Sequence, residues 1–430
     1  MKKISFAFVG LILVVSVLIN LAGCTKHEEE QVQPSTQVQD LTSGVYQHLV
    51  DPLTREEMYP YHGAINRFAM ELFKESNVAD ENTVISPLSV LFALSMAVNG
   101  ADGETLKQME DVLGISTSEL NRYLYSYADK FPNETLENRI KIEIANSIWI
   151  NQEIEFVPNK EFLQINADYY GAEIYGLPFD ERASEFINAW VNEKTDGMIP
   201  QMVGQLDSDT VSVLLNALVF DCHWDVTYEE EDVKTGEFTK EDQTKQTAEF
   251  MYQNILHGTY YENEKLTEFS RGFDGFGHRF IALLPKEGVT VSEALADLDG
   301  DAFMELLDNG EGAIIDTAVP KFETEFNANM CGVLKNMGID KAFGEDADFS
   351  KMGTCSVGNL YIEEINHNAK IKVNEKGVVA GAGTSVQWTA VGGAPDEQRK
   401  VHLDRPFIYV LYDSINLVPL FIGTMMDVQK

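Results

Sequence analysis

The chain opens on an apolar run. Lys2 and Lys3 precede Ile4 to Leu21, interrupted only by Ser5, Gly10, Ser16 and Asn20, and Leu21-Ala22-Gly23-Cys24 follows. A charged start, an apolar stretch and a small-residue box ending in cysteine predict an exported lipoprotein, with a signal peptide over 1–23 and the lipid on Cys24. The run is just long enough to span a bilayer uncleaved, but the cysteine stands where lipidation requires one. Residues 26–44 are rich in Glu, Gln, Ser and Thr, as a tether should be. Helical periodicity begins after His62, with Ile65, Phe68, Ala69, Leu72 and Phe73 on one face. Ser86 is placed to cap a second helix with Pro87 at its first position. That helix, Leu88 to Val98, is apolar on nearly all sides and therefore buried. Thr105 to Leu113 forms a third, stopped by Gly114. Ala145 to Ile150 and the nearly continuous apolar run Val211 to Phe220 read as strands covered on both faces.

The stretch after Asn374 breaks these habits. From Glu375 to His402 there are 28 residues without a helix period, long for a connection inside a domain. Its first half alternates: Val378, Ala380, Ala382 and Thr384 share one strand face, while Val379, Gly381, Gly383 and Ser385 share the other. No proline occurs from Glu375 to Ala394, so every amide there is free to join a ladder. The segment has the chemistry of a central strand in the position of an exposed loop.

Val401-His402-Leu403-Asp404-Arg405-Pro406-Phe407-Ile408-Tyr409-Val410-Leu411 resembles the signature of the serpins, and Glu375-Lys376-Gly377 resembles their hinge. Further resemblances keep family order: Asn82-x-x-x-Ser86-Pro87-x-Ser89, Asn146-Ser147-Ile148-Trp149, Asn188-x-Trp190, Pro320-Lys321-Phe322 and Pro419-Leu420-Phe421. Together they span about 62–428. The resemblance implies an α+β serpin fold over 62–430 as one large domain: a mixed central sheet, further sheets, surrounding helices and a reactive-centre loop at about 375–402. Residues 24–61 are then tether and lead-in. It also implies inhibition by suicide-substrate trapping, in which the cut loop inserts into the central sheet; strand addition and strain release of this kind are known devices.

Family spacing places the bait bond sixteen residues after Glu375 and twelve before Leu403, and both counts fall on Val391-Gly392. Trp388, Thr389 and Ala390 precede it as specificity positions, and Glu375, Gly377, Val378, Ala380 and Ala382 form the hinge. A small β-branched Val391 suits an elastase-like serine protease, and Ala390 suits a papain-like cysteine protease. Val378 is expected at the loop's exposed base, entering the sheet first after cleavage. Ser86, Ser89, Asn216 and His367 match the shutter beneath the opening sheet, although each residue type is equally compatible with a local structural bond. Trp224 matches the breach, and Lys321 with Glu375 a pair near the hinge. Lys376 and Val378 depart from the common hinge, and Gly381 and Gly383 lower strand propensity, which keeps a non-inhibitory serpin, a binding protein or cleavable substrate, as the alternative.

Other chemistry is thin. There is no His-Glu-x-x-His, no Gly-x-Ser-x-Gly and no phosphate loop, so a surface hydrolase is the distant alternative. No metal or cofactor is expected. With Cys24 assigned to the lipid, Cys222, Cys331 and Cys355 are odd in number and predict no disulfide framework. The net charge of −37 repels nucleic acid and offers no long cationic patch for a heparin-like cofactor. The expected partners are a target protease and a membrane reached through Cys24, with the chain itself a monomer at the cell surface.

Overall fold

A computed structural model describes residues 38–45, 47–129, 140–274, 277–356, 358–378 and 398–429. Cys24, Ala380, Ala382, Trp388, Thr389, Ala390, Val391 and Gly392 lie outside the described residues.

Seven strands make the central sheet: β1 (Gln39–Asp40), β2 (Ile140–Asn151), β3 (Glu173–Leu177), β4 (Ser212–His223), β5 (Phe322–Asn329), β6 (Asn366–Val373) and β7 (Gly377–Val378). Their order is β1-β3-β2-β4-β7-β6-β5. β2 and β4 pair antiparallel from Ile140–Cys222 to Ile150–Ser212, and β5 and β6 pair antiparallel from Phe322–Val373 to Asn329–Asn366. The two-residue β7 is antiparallel to both of its neighbours. Hence β4 and β6 run parallel to each other and are bridged by β7 at one end only.

The two faces of β4 serve different clusters, as a doubly covered strand requires. Leu218, Phe220 and Cys222 enter the main core, whereas Leu215 packs on the other side with Trp149, Trp190 and Val191. Trp190 and Val191 belong to helix α4 (Ala183–Lys194), which covers that outer face. On the inner side lies α2 (Pro87–Val98), with Ser86 accepting the Ser89 amide at its cap and ten of its residues buried. It is flanked by α1 (His62–Ser76) and α3 (Lys160–Tyr170). A second sheet contains Phe407–Asp413 and Val418–Met425, every residue of which is buried.

Candidate functional site: the hinge, the breach and the shutter

β6 and β7 are the arms of a two-residue hairpin. Asn374 and Gly377 exchange backbone hydrogen bonds of 3.0 and 3.2 Å, and the Asn374 side chain accepts from the Lys376 amide at 2.9 Å. A Cβ on Gly377 would lie 2.1 Å from the Cys222 carbonyl oxygen and 2.7 Å from the His223 Cα, so only glycine lets this hairpin close against β4. Val378 pairs with Cys222 on one side and Val373 on the other and is 1% exposed. The expectation of an exposed Val378 is therefore corrected: the first inward side chain of the alternating segment is already in the sheet. The physical reason is the tight turn, which folds Val378 back beside Val373 as soon as Gly377 passes Cys222.

Three consecutive carbonyls of the turn accept from one segment of chain. The Trp224 indole donates to Asn374 O at 2.8 Å, the Trp224 amide to Lys376 O at 2.9 Å and the Tyr228 amide to Glu375 O at 3.0 Å. The Glu375 carboxylate faces Lys321 at 3.1 Å. Its own backbone amide, and then the Lys321 ammonium, hold it below the usual carboxylate range.

Farther along the sheet the four polar shutter candidates meet. The Ser86 amide donates to His367 Nε2 at 3.0 Å, and the Ser89 hydroxyl donates to the Asn216 carbonyl at 3.4 Å. β4 and β6 are thus each tied to the start of α2. Asn146 belongs to the same cluster and was not singled out from sequence: its carbonyl oxygen accepts from Asn216 Nδ2 at 2.9 Å, and its amide donates to Tyr170 O at 2.8 Å. The available signal was a pair of polar residues interrupting two apolar strand runs, because Asn146 and Asn216 stand opposite each other in the ladder.

Between hinge and shutter the sheet is open. A cavity of about 210 Å³ separates Leu218 and Phe220 of β4 from Ala369 and Ile371 of β6, with Val378 at its head and Ser86 at its floor. Beyond the shutter a second cavity of about 370 Å³ runs between Leu214 and Ile365 over Ala93 and Ala97 of α2. Both lie along the line on which β7 would lengthen. Among the described residues no three His, Cys, Asp or Glu side chains converge as metal ligands do.

The family model "Serpin (serine protease inhibitor)" matches residues 63–428. The chain belongs to the serpin family. The thermophilic serpin tengpin in its native state superposes with a TM-score of 0.83 at 40% identity, covering 91% of this serpin and all of tengpin. Latent tengpin superposes less closely, at 0.75 and 37% identity over 89% of this serpin and all of that chain. An uncharacterized serpin-like protein of Thermococcus kodakarensis is 28% identical over 97% of this serpin and 98% of its own length. The leukocyte elastase inhibitor of Sus scrofa is 29% identical over 84% of this serpin and 98% of its own length.

His367 gives this polar cluster a pH signature. Complete burial lowers its pKa to about 4, so the folded protein keeps the imidazole neutral and able to accept from Ser86. An imidazole in the unfolded chain titrates near ~6.5. The stabilising contribution is therefore full above that value and is lost as pH falls toward 4, where the total reaches about 3 kcal/mol. Burial also lowers the His62 and His278 pKa values, so the comparison must be made against His367→Gln. Between pH 7 and 5 the wild type should lose about 2 kcal/mol more than this variant in urea unfolding. Parallel losses would show that His367 is not held neutral.

Proposed function

We propose that this serpin inhibits an elastase-like or papain-like protease as a suicide substrate, cut at Val391-Gly392. The observation that carries the reading is β7, a strand already begun above an empty slot, in a register that the following small residues can continue. Counting on from Val378, Ala380 comes beside Phe220 and Ile371, and Ala382 beside Leu218 and Ala369. Thr384 then falls between Asn216 and His367, offering a hydroxyl to groups that the parting strands must re-pair. Val386 and Trp388, the bulkier members of the same face, fall along the larger cavity. Small residues thus meet the narrow part of the slot and large ones the wide part. The small Val391 and the name of the porcine relative both favour an elastase-like target.

In this reading the protease forms an acyl-enzyme at Val391, and closure of the slot outruns hydrolysis. The free energy comes from ladder bonds and burial absent from the uncut chain, so the active form is kinetically stable. We further propose that the signal over 1–23 is removed and that Cys24 carries a lipid, holding the inhibitor at the outer face of a membrane by residues 24–61.

Mixing the protein with an elastase-type protease should give an equimolar complex that survives denaturing electrophoresis. Mass spectrometry of the released carboxyl-terminal peptide should show Gly392 as its first residue. A first residue of Ala390 or Lys400 would overturn the register, and rapid cleavage without a complex would favour a cleavable substrate.

A further inference from the structure

Arg271 is the one buried lysine or arginine among the described residues, at 1% exposure. It lies on the strand Leu266–Gly272 of the second sheet, directly behind the breach. Its guanidinium carbon sits 4.4 Å from the Trp224 ring centre and 4.6 Å from that of Tyr228, so the cation lies in the corner made by two perpendicular rings. Nη2 donates to the Val226 carbonyl at 2.6 Å and faces the half-exposed Asp225 carboxylate at 3.4 Å. Nε and Nη1 meet no hydrogen-bond acceptor. A buried guanidinium so sparsely bonded is costly, and a leucine or methionine of similar volume would avoid that cost.

What the cation organises is the segment Trp224–Tyr228. Its two ring contacts fix the ends of that segment and its Val226 bond fixes the middle. The same segment supplies all three donors to the hinge turn: the Trp224 indole, the Trp224 amide and the Tyr228 amide. We propose that Arg271 is a positioning residue for loop insertion, shaping 224–228 so that these donors converge on the carbonyls of Asn374, Glu375 and Lys376. The turn they hold joins β6 to β7, so it is the turn from which β7 would lengthen. Arg271 therefore acts by keeping the hairpin nucleus formed, ahead of any cleavage, so that zipping starts from a closed turn rather than from an open one.

This rests on the inhibitory reading for its consequence but not for its geometry, and two measurements separate them. The first uses the intact full-length protein alone. Amide exchange at Trp224 and Tyr228 should be at least about fivefold faster in Arg271→Met than in wild type, the smallest change expected for losing a cation–π contact. Arg271→Lys, which keeps the cation over the rings, should recover most of the protection, while Val219 in the β2–β4 ladder should exchange as before. Unchanged exchange at Trp224 and Tyr228 would overturn the proposal. So would a rise spread equally over the sheet, the mark of general destabilisation. The second measurement is the stoichiometry of inhibition of an elastase-type protease beside the rate of loop cleavage. Arg271→Met should raise the stoichiometry about fivefold with the cleavage rate unchanged. An unaltered stoichiometry, or a cleavage rate that falls in step with it, would again overturn the role. If wild type traps no protease, the inhibitory reading fails, and the exchange result alone decides whether Arg271 positions the turn.

Discussion

Cutting the loop of this serpin with a protease that escapes capture is expected to raise its melting temperature by about 10–15 °C. The slot between β4 and β6 would receive a strand with partners on both sides, each added ladder bond contributing about 1 kcal/mol net. Burial of Val386 and Trp388 adds to this, and Trp388 has the 370 Å³ cavity to fill. A net gain of about 10 kcal/mol, at about 1.3 °C per kcal/mol for a domain of roughly 370 residues, gives that range. Trp388→Ala should remove about 3–5 kcal/mol of the gain without altering the melting of the uncut protein. Nicking an ordinary loop stabilises nothing, so an unchanged melting curve after clean cleavage would mean that the slot stays empty.

The second large effect is expected at the hinge. Val378→Arg would place a charge between Cys222 and Val373, where the native valine is 1% exposed. Burying that charge unpaired costs several kcal/mol, more than two residues of ladder contribute, so β7 should leave the sheet. Because Val378 is already inside in the uncut protein, the substitution removes the insertion nucleus before the protease arrives. Attack at Val391-Gly392 should stay fast while zipping becomes slow, and the acyl-enzyme should hydrolyse. The stoichiometry of inhibition is expected to rise at least about tenfold, as a barrier increase of roughly 1.4 kcal/mol or more requires. Gly377→Ala should act in the same direction, its Cβ being driven to 2.1 Å from the Cys222 carbonyl oxygen. A variant that still captures its protease one to one would show that insertion does not begin at β7.

Much of this was legible in the sequence because the relevant constraints are local. The cap at Ser86, the all-apolar α2, the alternation after Gly377 and the proline-free run each follow from backbone geometry within a few residues. That Ser86, Ser89, Asn216 and His367 meet was readable only through resemblance, since His367 and Ser86 are 281 positions apart and nothing local joins them. Asn146 escaped notice because its partner is set by ladder register, which a single strand's pattern does not reveal. Arg271 escaped for a related reason: an arginine in a strand reads as a solvent-facing charge until two aromatic rings from another segment are seen to pack against it. Val378 was misplaced because the hairpin turn at Asn374–Gly377 already folds it back beside Val373 in the uncut chain.

The central claim is that the segment after Val378 becomes a strand between β4 and β6 once the loop is cut. Hydrogen exchange followed by mass spectrometry on peptides covering 379–390, before and after cleavage at Val391-Gly392, tests it most directly. Exchange in the cut protein should slow by several orders of magnitude, as for amides that open only with the whole domain, and protection should appear together in the Asn216 and His367 segments. Amides of 379–390 that exchange at unchanged rates after cleavage would contradict the account.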